Sequence, residues 1–217
     1  MVRRISCRPL TNNTSTTIVI LLLISGGCSQ GPKAIPPLYI NANNASDRAL
    51  ELHDADSNGI IDSDELATAP GLAYAAERAD KDGDGGLSGD EITEMVEAWN
   101  AKSIGLLTLR ANIKLKKRPL AGAIVRLEPA PFLDGQVEAA FGVTDEFGDA
   151  FLTIPKEKRP IADSPPGAQF GLYRVVISKQ KDGRETVPTQ YNAETTLGQE
   201  VSFDDPGVLN GIKYTLK

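Results

Sequence analysis

Histidine and cysteine are nearly absent from these 217 residues: there is one His, His53, and the two Cys, Cys7 and Cys28, both fall before residue 30. No Ser-His-Asp or Cys-His set can be assembled from the long C-terminal part, which has neither residue. Methionine is equally scarce, with only Met1 and Met95, too few for an adaptable Met-rich binding groove. Long apolar runs are missing too. The longest is Ile18–Ile24, well short of the ~20 residues that span a bilayer. There is no basic excess either: the formal net charge is −6, which argues against nucleic acid as a partner.

The acidity that is present is concentrated. From Ala45 to Asn100 there are fifteen Asp and Glu against Arg48, Arg78 and Lys81, a local net of −12, whereas Ala101–Lys217 has sixteen basic and fourteen acidic residues, a net of +2. Like charge packed this densely destabilises a compact state unless something neutralises it. Bound cations are the implied partner.

The amino terminus carries Arg3, Arg4 and Arg8, then Ile18–Ile24, then the small residues Ser25, Gly26 and Gly27 before Cys28. A basic start, a short apolar core and small residues describe a secretory signal over residues 1–27. The cysteine directly after the small residues resembles the lipobox of bacterial lipoproteins, with Ser25 where that family most often has leucine. The resemblance implies cleavage before Cys28, a diacylglycerol on its thiol, and an exported protein held on a membrane by its lipid. Such a mature chain has one thiol and no internal disulfide, so packing and metal must stabilise it. Residues 28–44, with three prolines and three asparagines and no periodicity, read as a flexible tether.

Two twelve-residue runs, DADSNGIIDSDE from Asp54 and DKDGDGGLSGDE from Asp80, repeat acids at the same offsets. Calcium takes six to eight oxygens, and a helix-loop-helix site supplies them from loop positions one, three, five, seven, nine and twelve with glycine at six. The first run offers Asp54, Asp56, Asn58, the carbonyl of Ile60, Asp62 and Glu65 around Gly59. The second offers Asp80, Asp82, Asp84, the carbonyl of Gly86, Ser88 and Glu91 around Gly85. Asp62 and Ser88 are good N-caps with Glu three residues on, so the last ligand sits where a capping box would place it. Ile61 and Leu87 hold the eighth positions, where paired loops join by a short strand contact. These features resemble the EF-hand family over residues 45–101 and imply two Ca²⁺ ions. The tandem loops of dockerin modules are the nearest competitor, but they lack an entering helix, which Ser46, Arg48, Ala49, Leu50 and Leu52 provide here.

The loops start 26 residues apart, and Pro70–Gly71 interrupts the connection, so short helices are expected between them. Ile92, Met95, Val96 and Trp99 form a helical stripe that reads as core. With so little Met, a calcium-exposed groove is disfavoured, and the expected role of the ion is structural.

From Ile104 the pattern alternates. Leu107, Leu109, Ala111, Ile113 and Leu115 fall on one face of a strand, and further short strands are expected at 123–127, 139–144, 150–154, 173–178, 200–203 and 212–216. The segments KRPLAGAIVRL, VTDEFGDAFLTI and PPGAQFGLYRVVISK, beginning at Lys117, Val143 and Pro165, resemble the carboxypeptidase regulatory-like domains of the prealbumin-like class. The expected fold is therefore α+β and multidomain: a small helical EF-hand pair, then a seven-stranded antiparallel prealbumin-like β-sandwich over 104–217. Separate modules should melt separately, with chelation lowering only the helical transition.

Prealbumin-like hydrolases and iron dioxygenases use histidines within the sandwich, and this one has none; His53 reads as a helix-surface residue. Glu185, Glu194, Asp204 and Asp205 read as loop charge, not as a glycosidase pair, and Tyr173, Tyr191 and Tyr214 as packing. The expected protein is a non-enzymatic calcium binder with a structural or adhesive sandwich. A carbohydrate- or peptide-binding accessory is the alternative and a hydrolase ranks last. A surface polymer or protein partner has no name in the sequence.

Overall fold

The computed structural model describes residues 34–133 and 135–217. The leader, Cys28 and the first residues of the expected tether lie outside the described residues. The chain is mixed α and β, with five α-helices and several mostly antiparallel sheets among the described residues. No helix among them is long and apolar enough to cross a membrane.

The helices come first. α1 (Ala42–His53) starts at Asn41, whose side chain accepts from the Asn44 N–H, and buries the small residues Ala42, Ala45, Ser46 and Ala49. That narrow face lets α4 (Gly89–Ala101) approach closely. α2 (Ser63–Leu66) is a single turn. α3 (Pro70–Ala79) has Pro70 in its first turn, where the missing N–H costs nothing. The expected shortening thus falls on α2, while Pro70 begins a helix of ten residues. α4 buries Ile92, Val96 and Trp99, and Met95 is only partly buried against this core.

Two short strands, β1 (Ile60–Ile61) and β2 (Leu87–Ser88), pair antiparallel between the helices. After α4 come β3 (Leu109–Leu115), β4 (Arg118–Pro119), β5 (Ile124–Pro129), β6 (Ala140–Val143), β7 (Asp149–Leu152), β8 (Gly171–Ser178), β9 (Gln180–Lys181), β10 (Arg184–Glu185), β11 (Gly198–Val201), the five-residue α5 (Pro206–Asn210) and β12 (Ile212–Leu216). One sheet has the order β11-β8-β5-β6; the other has β12-β3-β4, with β7 also paired to β3. Leu109, Ala111 and Ile113 are buried on the expected face of β3.

Three expectations need correction. β12 runs parallel to β3, Ile212 opposite Ala111 through Leu216 opposite Leu115, so the strands are not all antiparallel. The connection through α5 reverses the chain, and a hairpin-based reading cannot anticipate that. The tether does not stay loose to residue 44. Ile40 is fully buried, its N–H donates to Asn100 Oδ1 at 3.0 Å, its carbonyl accepts from Asn100 Nδ2 at 2.8 Å, and α1 starts two residues later. Finally, Ala34–Lys217 is one compact unit in place of separate helical and strand-rich domains. α3 packs directly on β8 and β11.

Candidate metal centres

Each acidic run folds into a tight loop whose first carboxylate is held by the loop's own backbone. Asp54 accepts from the N–H groups of Asn58 (3.1 Å) and Gly59 (2.9 Å). Asp80 accepts from Gly83 (2.6 Å) and Gly85 (3.0 Å). The turns repeat further on: Asn58 Oδ1 accepts from the Ile60 N–H at 2.8 Å, and Asp84 Oδ1 from the Gly86 N–H at 2.9 Å. Gly59 and Gly85 sit at φ of +89° and +90° with open space where a Cβ would stand, so glycine is needed for backbone conformation and not for room.

The loops end alike. Asp62 accepts from the N–H groups of Asp64 (2.9 Å) and Glu65 (3.1 Å), while Glu65 reaches back to the Asp62 N–H at 3.0 Å and across to the Ala55 N–H at 2.6 Å. Ser88 caps α4, and Glu91 accepts from the Ser88 N–H and hydroxyl, both at 2.9 Å, and from the Lys81 N–H at 2.6 Å. Both capping boxes are complete. Burial works to raise the Glu91 pKa, but the N–H groups of Ser88, Lys81 and Asp82 and the Ser88 hydroxyl outweigh it and hold the carboxyl below its usual range. The two loops stand side by side through β1 and β2, with Ile60 opposite Ser88 and Ile61 opposite Leu87. Ile61 and Leu87 are fully buried beneath them.

Oxygens of Asp54, Asp56 and Glu65 lie within 4.8 Å of one another, as do those of Asp80, Asp82 and Asp84. Two oxygens on opposite sides of one Ca²⁺ stand roughly 4.6–5.2 Å apart, twice the usual bond length. The all-oxygen donor sets and their spacing therefore fit a hard cation of that size. Glu91 is not in the second cluster, although it accepts from the Lys81 and Ser88 N–H groups just as Glu65 accepts from those of Ala55 and Asp62.

His53 ends α1 just before the first loop, partly buried. Burial lowers its pKa and Glu65 opposes this. It faces a cavity of about 320 Å³ lined also by Leu72, Phe132, Glu128 and Arg174, so it is not a plain surface residue. Of the four carboxylates weighed for hydrolysis, Glu185 accepts three backbone N–H bonds, Glu194 one from the Thr189 hydroxyl at 2.9 Å, Asp204 pairs with Lys102 at 3.4 Å, and Asp205 is buried against Tyr74 and Gln199. Tyr173 is fully buried, and Tyr191 and Tyr214 are partly buried against the core.

Sequence reasoning missed a polar junction between the helices and the sheets. Arg78 of α3 pairs with Glu200 of β11 at 2.7 Å, the Trp99 indole N–H of α4 donates to the other oxygen of Glu200 at 3.0 Å, and the Tyr74 hydroxyl donates to Asp205 at 2.8 Å. A cavity of about 510 Å³ opens beside it, lined by Met95, Trp99, Glu94 and Glu91 among others. The available signal was Trp99, because a buried indole N–H requires an acceptor. Comparison with protein families, with characterised proteins and with solved structures gives no match.

Proposed function

We propose that this chain is an exported, lipid-anchored calcium-binding protein in which an EF-hand pair stands on a prealbumin-like β-sandwich, and that calcium has a structural role. One observation carries the reading: two acidic loops of matching internal hydrogen bonding stand back to back through Ile60–Ile61 and Leu87–Ser88, each presenting a cluster of carboxylate oxygens. Two Ca²⁺ ions would reduce the local charge of −12 to −8 and replace repulsion among neighbouring acids with oxygen–metal bonds. The first ion would be held by Asp54, Asp56, Asn58, the Ile60 carbonyl, Asp62 and Glu65. Asp80, Asp82, Asp84, the Gly86 carbonyl, Ser88 and Glu91 would hold the second.

The structural role is supported by what lies beneath the loops. Ile61, Leu87, Ile92, Val96 and Trp99 belong to the same core as the sheets, so few apolar side chains stand ready to be exposed on binding. A non-enzymatic reading is supported by the structural bonds that occupy Glu185, Glu194, Asp204 and Asp205.

Isothermal calorimetry on the purified chain tests the assignment. Two calcium sites are expected in the wild type and none of comparable affinity in Glu65→Gln/Glu91→Gln. Unchanged binding in that double variant would refute it. Membrane fractionation of wild type against Cys28→Ser tests the anchor, and release of the serine variant is expected.

A further inference from the structure

The outer surface of the two sheets carries large apolar side chains that no other described part of the chain covers. Ile124, Phe141, Val143, Phe147 and Phe151 are all exposed, Phe147 by 65 % and Phe151 by 62 %. They share one continuous surface. Ile124 stands opposite Val143, and Phe151 opposite Arg110. β6 and β7, from different sheets, meet edge to edge where the Phe141 and Thr153 backbones exchange hydrogen bonds of 3.1 and 3.0 Å. Carried on by two residues, that antiparallel register sets Val143 opposite Phe151, so Ile124, Val143, Phe151 and Arg110 form a row across four strands. Phe147 tips the connection between β6 and β7, its carbonyl accepting from Asn112 Nδ2 at 3.2 Å.

Cations frame this surface. The Arg110 guanidinium lies 6.0 Å from the Phe151 ring centroid, and Arg126 stands opposite Phe141. Lys114, Lys116, Lys117 and Arg118 are all exposed on the β3–β4 hairpin, which adjoins the Phe147 turn through the Ile113 N–H donating to the Gly148 carbonyl at 2.8 Å. Of the nearby acids, Asp149 is paired with Arg110 at 2.6 Å, Glu128 lies 3.9 Å from Arg126 while bonding Arg174, and Asp145 accepts the N–H groups of Phe147 and Asp149. Glu146 is exposed.

We propose that this face docks on an anionic lipid surface, its phenylalanines entering the headgroup–acyl boundary and its lysines and arginines meeting the headgroups. A chain of net charge −6 here gathers positive charge around its exposed aromatics, the pairing that holds peripheral proteins to anionic bilayers. The apolar members are Phe, Val and Ile, which suit acyl chains and offer a glycan's hydroxyls no hydrogen bond. This inference rests on the anchored reading. Only Ser29–Lys33 separate Cys28 from the compact unit that begins at Ala34, a reach of roughly 20 Å that keeps the folded body beside the bilayer.

The test uses the full calcium-loaded chain reconstituted in vesicles of brominated phosphatidylcholine, with or without about one third phosphatidylglycerol. Wild type reports through Trp99 alone, buried at 3 % exposure, and gives the baseline; Phe147→Trp adds a reporter at the face. Strong quenching of the Phe147→Trp signal in anionic vesicles is expected, with at least half of it lost in high salt or on adding Lys116→Glu and Lys117→Glu. A protein that floats with the vesicles while Phe147→Trp is quenched no more than wild type overturns the docking face and leaves the anchor standing. Failure to float overturns both. Salt-sensitive binding to a polyanionic glycan without lipid quenching assigns the surface to a polysaccharide and overturns the lipid proposal. Calcium calorimetry on the same samples is independent of all these outcomes.

Discussion

Gly198 shows how one residue sets the distance between helix and sheet. A Cβ built there would collide with the carbonyl of Pro70, the first residue of α3, and with the Tyr74 side chain. Because the obstacle is backbone, relief requires the helix to move. Gly198→Ala is expected to cost about 1–3 kcal/mol, the usual range for overpacking, measurable as a lower denaturation midpoint with calcium present. An unchanged midpoint would mean that α3 slides on the sheet at no cost. The contrast with Gly85 explains why some residues were readable in advance and others not. Gly85 serves a turn whose partners lie within five residues, so the loop spacing alone identifies it. Gly198 and Glu200 have partners more than a hundred residues earlier, and no local pattern announces them.

At the scale of elements, alternation located β3 because that strand is half buried, with Leu109, Ala111 and Ile113 inward and Arg110 and Lys114 outward, whereas β11 is buried at every position and carries no such pattern. Direction was not readable the same way, since β12 would alternate identically whether parallel or antiparallel to β3. α2 is short for a local reason: its capping box at Asp62–Glu65 starts a helix that Ala67–Ala69 ends before Pro70 begins another. The β9–β10 hairpin carries a prediction of its own. Burial disfavours the Glu185 carboxylate, but the N–H groups of Lys179, Val187 and Thr186 more than offset this and hold its pKa below the usual value. A depressed folded-state pKa stabilises above the unfolded value, and that contribution is lost as pH falls through the folded value. Amide exchange at Thr186 and Val187, corrected for intrinsic rates, is therefore expected to lose protection below the ordinary carboxylate range in wild type and to stay flat in Glu185→Gln. Equal pH profiles in the two proteins would remove Glu185 as the cause.

At the scale of the whole molecule, the polar junction ties the helices that flank the second acidic loop to the sheets. α3 runs into the second loop at Asp80, and α4 leaves it through Glu91. Farther along the same helices, Arg78 and Trp99 both bond Glu200, and Tyr74 bonds Asp205. Loosening the loop by chelation would free the ends of both helices, and with them the groups that satisfy a carboxylate exposed by only 6 %. The separate melting expected of independent modules then gives way to a single transition. Circular dichroism and Trp99 fluorescence should report the same midpoint, and chelation should lower both together. Glu200→Gln should lower that midpoint even in calcium, by about 1.5–3 kcal/mol, the range for hydrogen bonds to charged groups, with the lower end favoured because Arg78 is 35 % exposed. The same substitution should also shrink the calcium-dependent shift, because the sheets would no longer feel the state of the second loop through Arg78. Two separated transitions in the wild type, only one of them moved by chelation, would show that the junction transmits nothing.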